Sequence, residues 1–210
     1  MSTVSRTNRH AKRKELLAQR RKLNRAERDS AARGLVRQFN SAIRLRAIRR
    51  VGSYVPIRGE ISPHYLLHDL KPQHVFIPVI RDVSSGKMDF CQADKQIITN
   101  NRLLGSKQIP RNAFGIPEPI VSRVPIRLQE LDAILVPLVA FDDQGNRLGM
   151  GAGFYDRALA FRLLPNRPKR PLLIGLAYDF QHCNSIESEY WDVPLDAIIT
   201  PAKTIWPQPS

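Results

Sequence analysis

The hydrophobic pattern of residues 9–23, "RHAKRKELLAQRRKL", predicts a helix on which Leu16, Leu17 and Leu23 form a narrow apolar stripe among basic positions. The next run, "NRAERDSAARGLVRQFNSAIRL" (24–45), predicts a second helix. It opens with Asn24 three residues before Glu27, the spacing at which each side chain caps the other's backbone N–H. Beyond it the period changes. "RRVGSYVPI" (49–57), "HVFIPVI" (74–80), "MDFCQA" (88–93), "LDAILVPLVAF" (131–141), "PLLIGLAYDF" (171–180) and "DAIIT" (196–200) are apolar, partly β-branched runs of strand length. After the first of these, "SPHYLLHDL" predicts a helix with Ser62 as N-cap and Pro63 at the first helical position. Within 94–130 the prolines of "FGIPEP" (114–119) forbid regular structure and predict a rigid turn. Strands alternating with helices predict a three-layer α/β/α fold with a mainly parallel central sheet and a basic N-terminal helical arm. A chain of 210 residues suits a single domain, with the arm over 1–48 and the α/β body over 49–206.

Composition changes this picture in one respect. The formal charge of +14 is unevenly placed: residues 1–50 hold 16 Lys/Arg against 3 Asp/Glu, and the rest of the chain holds 17 against 16. The body is close to neutral, and the basicity belongs to the arm, which can serve RNA, anionic lipid or the phosphates of a small ligand. No RNA-binding signature accompanies it, so a nucleic-acid partner is not expected, although an RNA-binding protein on an α/β scaffold is the alternative reading. No apolar run approaches the ~20 residues that cross a bilayer, and no membrane association is expected. Cys91 and Cys183 stand alone, without metal-ligand or CxxC spacing, which fits a reducing cytoplasm.

The chemistry concentrates in "RLGMGAGFYDRAL" (147–159). An apolar strand, the polar turn "DDQGN" (142–146), this glycine-rich loop and then a helix follow one another, which is where α/β sheets bind ligands. Free backbone N–H groups and a helix N-terminus favour an anion, most often phosphate. Arg147 enters the loop and offers a charge-assisted contact. Asp156, in the first helical turn, either stabilises the helix or holds a Mg²⁺ that bridges phosphates. The loop is neither the dinucleotide fingerprint nor a Walker A motif. His64 and His68 have the i, i+4 spacing of helical zinc sites but lack the intervening Glu and a third ligand. No nucleophile triad is apparent.

The stretch "DAILVPLVAFDDQGNRLGMGAGFYDRAL" resembles the signature of the 5-formyltetrahydrofolate cyclo-ligases, also called methenyltetrahydrofolate synthetases. "YVPIRGEIS" (54–62), "FGIPEP", "IGLAYDFQ" (174–181) and "WDVPLDAIIT" (191–200) follow the same order, so that the resemblance spans roughly residues 9–205. It implies an ATP- and Mg²⁺-dependent ring closure of 5-formyltetrahydrofolate, with or without a polyglutamate tail, to 5,10-methenyltetrahydrofolate. The formyl oxygen takes the γ-phosphoryl group, N10 attacks the activated carbon, and phosphate leaves. No protein nucleophile is implied. Carried over residue by residue, Arg147, Leu148, Gly149, Met150, Gly151, Ala152, Gly153, Phe154 and Tyr155 embrace ATP, and Met150 to Phe154 also touch the folate. Arg9 and Arg13 reach the nucleotide from the arm. Val55 and Glu60 hold the pterin. Asp156 and Asp192 hold Mg²⁺, with Asp196 an alternative to Asp192. Ala152 stands where many relatives have Gly, and Arg9 where a Lys is more usual.

Overall fold

Seven strands form the central sheet of the computed structural model, which describes residues 3–43, 48–70, 74–93, 110–119, 124–166, 168 and 170–208. The end of the predicted second helix, residues 94–109 and residues 120–123 lie outside the described residues. In chain order the elements are β1 (Thr3–Val4), α1 (Arg9–Lys22), α2 (Arg25–Ala42), β2 (Arg50–Gly52), α3 (His64–Leu70), β3 (His74–Asp82), β4 (Lys87–Gln92) and β5 (Ala133–Pro137). There follow β6 (Ala140–Phe141), β7 (Arg147–Leu148), α4 (Phe154–Ala158), β8 (Leu172–Leu176), β9 (Ser185–Ile186), β10 (Ala197–Ile199) and β11 (Thr204–Ile205). The sheet runs β11-β10-β8-β5-β2-β3-β4, parallel from β10 to β3, with antiparallel strands at both edges.

The continuous apolar runs "AILVP" and "LLIGL" sit in the middle of this sheet because both of their faces are covered. On one face Leu35 and Phe39 of α2 and Leu66 and Leu67 of α3 pack over Val51, Val75, Leu135 and Ile174. On the other, Leu159 joins Phe90, Ile134, Val136 and Leu173. The layers are unequal: among the described residues the second carries the five-residue α4 and two 3₁₀ turns, Leu128–Glu130 and Ala160–Leu163. Leu164, extended just before Pro165, ends that path, since a residue preceding proline disfavours helical backbone.

Three expectations are corrected. The run 131–141 is not one strand: β5 stops at Pro137, and β6 turns away to pair with β7 in a separate hairpin. The carbonyls at the break are taken by side chains, with Gln181 donating to Leu138 O at 2.9 Å and to Val139 O at 2.8 Å. The strand expected over 49–57 is confined to Arg50–Gly52, because Pro56 lacks an N–H and Arg58 and Gly59 turn the chain through left-handed backbone (φ 49° and 77°). The strand expected over 171–180 ends at Leu176 and gives way to a 3₁₀ turn, Asp179–Gln181.

The basic helices are packed against the body. The capping box forms as expected, with Asn24 Oδ1 accepting from Glu27 N at 2.9 Å and Glu27 returning the bond to Asn24 N at 2.7 Å. Leu16 of α1 joins Val4, Val139, Ala140, Leu148, Cys183 and Ile186 in a third apolar cluster. The stripe thus docks α1 directly beneath the glycine loop's hairpin.

Candidate active site

From β2 the chain proceeds to β3 and β4 on one side, and β5, β8, β10 and β11 lie on the other. That reversal is a topological switch point, and the crevice outside the carboxyl ends of the two flanking strands is where open α/β sheets bind ligands. A cavity of 770 Å³ lies there, walled by Tyr54 and Val55 after β2, by Pro137 and Leu138 where β5 ends, and by Pro78 and Ile80 of β3. The candidate residues other than Asp196 line it: Arg9 and Arg13 of α1, Val55 and Glu60, the run Arg147 to Tyr155, Asp156 and Asp192.

The glycine loop leaves the β6–β7 hairpin and enters α4. Gly151 (φ 101°) and Gly153 (φ 67°) hold left-handed backbone, which a side chain would strain. Ala152 has no positive φ, so it takes its place without strain. Arg13 Nε donates to Gly149 O at 2.7 Å, and its guanidinium lies against Gly151. Burial and the neighbouring Arg9 charge both lower the Arg13 pKa, so that the pair is a place short of negative charge. Five arginines and three carboxylates line the cavity, the balance an anion would meet.

Two arginines brace the loop from the cavity wall. Arg147, its side chain 6% exposed, pairs with Asp156 Oδ1 at 2.5 Å and donates to Val193 O. Arg157, which sequence reasoning missed, donates to Ala152 O and lies over the Phe154 ring at 5.8 Å, closing the loop from behind. Its signal was available: it stands one turn after Gly153 and so points back over the loop.

Asp156 Oδ1 also accepts from Val193 N at 3.2 Å, and Asp192 Oδ2 accepts from Glu189 N at 2.9 Å and faces Arg9 at 3.6 Å. Both carboxylates remain one-quarter exposed on the cavity wall. Asp196 is placed elsewhere: it binds Arg162 at 2.6 Å and Leu173 N at 2.7 Å, at the amino ends of β8 and β10. Among the described residues no three His, Cys, Asp or Glu side chains group as a metal site, and His64 and His68 form none.

At the opposite end Glu60 lies between the turn and α1. Its Oε2 accepts from Ile57 N at 3.0 Å, and its Oε1 faces Arg20 at 3.6 Å. Burial raises the Glu60 carboxyl pKa, against the Arg20 charge, which lowers it. Tyr54 and Tyr155 stand nearby, and the Tyr155 hydroxyl is buried without a partner. Burial pushes the phenols of Tyr54, Tyr155 and Tyr178 upward. A raised folded-state pKa gives stability that is complete below the unfolded value of about 10 and is lost as pH rises through the folded values. An ultraviolet titration should therefore find these three phenols silent until the chain unfolds in alkali. Ionisation of all three in the folded chain would contradict their burial.

Cavity, loop and charge define an α/β protein whose switch point suits a phosphate-bearing ligand, beside a partly apolar chamber holding one carboxylate. The family model described as the 5-formyltetrahydrofolate cyclo-ligase family matches residues 5–201, and the chain belongs to that family. The 5-formyltetrahydrofolate cyclo-ligase of Haemophilus influenzae is 34% identical over 190 residues, 89% of this chain and 94% of that protein. The Escherichia coli K12 protein of the same name is 33% identical over 160 residues, covering 74% and 79%. The NMR structure of Aquifex aeolicus 5,10-methenyltetrahydrofolate synthetase superposes with a TM-score of 0.74 at 27% identity, over 97% of this chain and 94% of that one.

Proposed function

We propose that this chain closes 5-formyltetrahydrofolate to 5,10-methenyltetrahydrofolate while converting ATP to ADP and phosphate. One observation carries the reading: a single cavity joins an arginine-flanked glycine loop to a chamber with a buried carboxylate. Two substrates can therefore meet without crossing solvent. The loop's N–H groups, with Arg9 and Arg13, receive the phosphates. Glu60 accepts hydrogen bonds from pterin N–H groups, and Val55 packs beside the ring. Met150 to Phe154 lie where the formyl oxygen approaches the γ-phosphorus. That oxygen forms the new O–P bond as the bond to ADP breaks. N10 then attacks the formyl carbon and loses its proton, and phosphate departs with the former formyl oxygen. Such chemistry rests on positioning and charge neutralisation.

Asp156 and Asp192 fit a Mg²⁺ that takes one or two carboxylates and keeps its other positions for phosphate oxygens and water. When bound, the metal neutralises charge on the transferring phosphoryl group. Among the described residues no helix is long and apolar enough to cross a membrane. The cytoplasm is the compartment in which two buried thiols outside any disulfide, Cys91 and Cys183, stay reduced.

The arm has a nucleotide role in this reading. The Arg9→Ala/Arg13→Ala variant should raise the KM for ATP several-fold, at roughly 1 kcal/mol per contact in this partly exposed setting. The KM for the folate should change little. Thermal melting tests the whole assignment: Mg-ATP and 5-formyltetrahydrofolate should each raise the melting temperature, and together by more than either alone. Stabilisation by RNA with no response to either small ligand would overturn it and favour the nucleic-acid reading.

A further inference from the structure

We propose that Arg20 is a positioning residue for Glu60, holding that carboxylate ionised and aimed at the cavity from behind its wall. The inference rests on the folate reading of Glu60 given above. Arg20 belongs to α1 and is fully buried, a rare state for arginine. Its Nη1 donates to Leu138 O at 3.3 Å, its Nη2 donates to Ile57 O at 3.3 Å, and the same Nη2 stands 3.6 Å from Glu60 Oε1. One rigid fork thus ties α1 to the end of β5 and to the turn that carries Glu60. The turn is pressed onto the helix as well: a Cβ at Gly59 would stand 3.2 Å from the Arg20 carbonyl oxygen, which also accepts from Arg28.

Packing alone does not call for a guanidinium at this place, since buried ion pairs are commonly replaced by apolar residues without loss of stability. Glu60 supplies the reason. Its side chain is 9% exposed, and the charged and titratable groups facing it are Arg20 from α1, Arg58 from its own turn, and Tyr54, Tyr155 and Tyr178 from the surrounding elements, with Arg28 of α2 beside Tyr178. Burial pushes the Glu60 carboxyl up, and Arg20 is the largest influence in the other direction. Without Arg20 the carboxyl would hold its proton to higher pH, and a protonated carboxyl turns an O–H toward donors that need an acceptor.

The test compares Arg20→Met and Arg20→Lys in the full chain, with the KM for 5-formyltetrahydrofolate and for ATP each followed across neutral pH. In Arg20→Met the folate KM should begin to rise at higher pH than in the unaltered chain, by up to about tenfold per pH unit below the carboxyl's new pKa. The ATP KM should stay within about twofold, and Arg20→Lys should show a smaller displacement of the same sign. An equal loss for both substrates, or a profile parallel to that of the unaltered chain, overturns the role. Should Arg20→Met fail to fold, Arg20→Lys carries the test alone, and an undisplaced profile there overturns it. Glu60→Gln separates the two ways of being wrong. A raised folate KM in Glu60→Gln with no displacement in the Arg20 variants overturns the positioning role only. An unchanged folate KM in Glu60→Gln overturns the pterin assignment and the positioning role together.

Discussion

Asp156→Asn is expected to lower kcat by about 10²–10³, the usual loss when charge stabilisation at a transferring phosphoryl group is removed. The fold should survive. Asn keeps a carbonyl oxygen for Val193 N and for Arg147, so the two contacts that Asp156 Oδ1 makes on the cavity wall are weakened rather than abolished. Measured side by side, kcat should fall steeply while the melting temperature moves little. Near-normal kcat with a lowered melting temperature would mean that Asp156 only ties Arg147 and the Val193 loop to α4.

Gly149→Val should abolish ATP protection against heat and raise the Kd for ATP by about two orders of magnitude. Two lost charge-assisted N–H contacts of ~1.5–3 kcal/mol each suffice for that. Gly149 is the sound position for the test. Its φ lies outside the left-handed region, and a Cβ there meets nothing within 4 Å, so that the side chain enters open space on the cavity wall. Gly151→Val would confound the result, because at φ 101° the backbone strain alone costs about 1–3 kcal/mol. Retained ATP protection in a folded Gly149→Val chain would place the nucleotide elsewhere.

The sequence was most legible where local rules and burial agreed. Asn24 and Glu27 form their reciprocal cap, α1 begins at Arg9, and the runs around Ile134 and Ile174 become the buried parallel strands. The candidate residues, apart from Asp196, line one cavity. What escaped depends on partners distant in the chain. Nothing local says that Leu138 O will be claimed by Arg20 and Gln181, 118 and 43 residues away, which fixes the break that Pro137 begins. α4, expected from its place after the glycine loop, ends after five residues. Arg20 was hidden among basic neighbours such as the exposed Arg21. Its position was nevertheless readable, because Arg9, Arg13, Leu16, Arg20 and Leu23 fall four, three, four and three apart on one helix face. Charges that continue an apolar stripe are aimed at the body, and three of them reach the cavity or its wall.

The central claim is that the formyl oxygen meets the γ-phosphorus of ATP within this single cavity, and following that oxygen tests it most directly. The purified chain would be given Mg-ATP and 5-formyltetrahydrofolate carrying ¹⁸O in the formyl group, and the mass of the released phosphate measured during turnover. The account predicts 5,10-methenyltetrahydrofolate, ADP and phosphate in equal amounts, with the label in the phosphate. Unlabelled phosphate, or ring closure without ATP consumption, would contradict it.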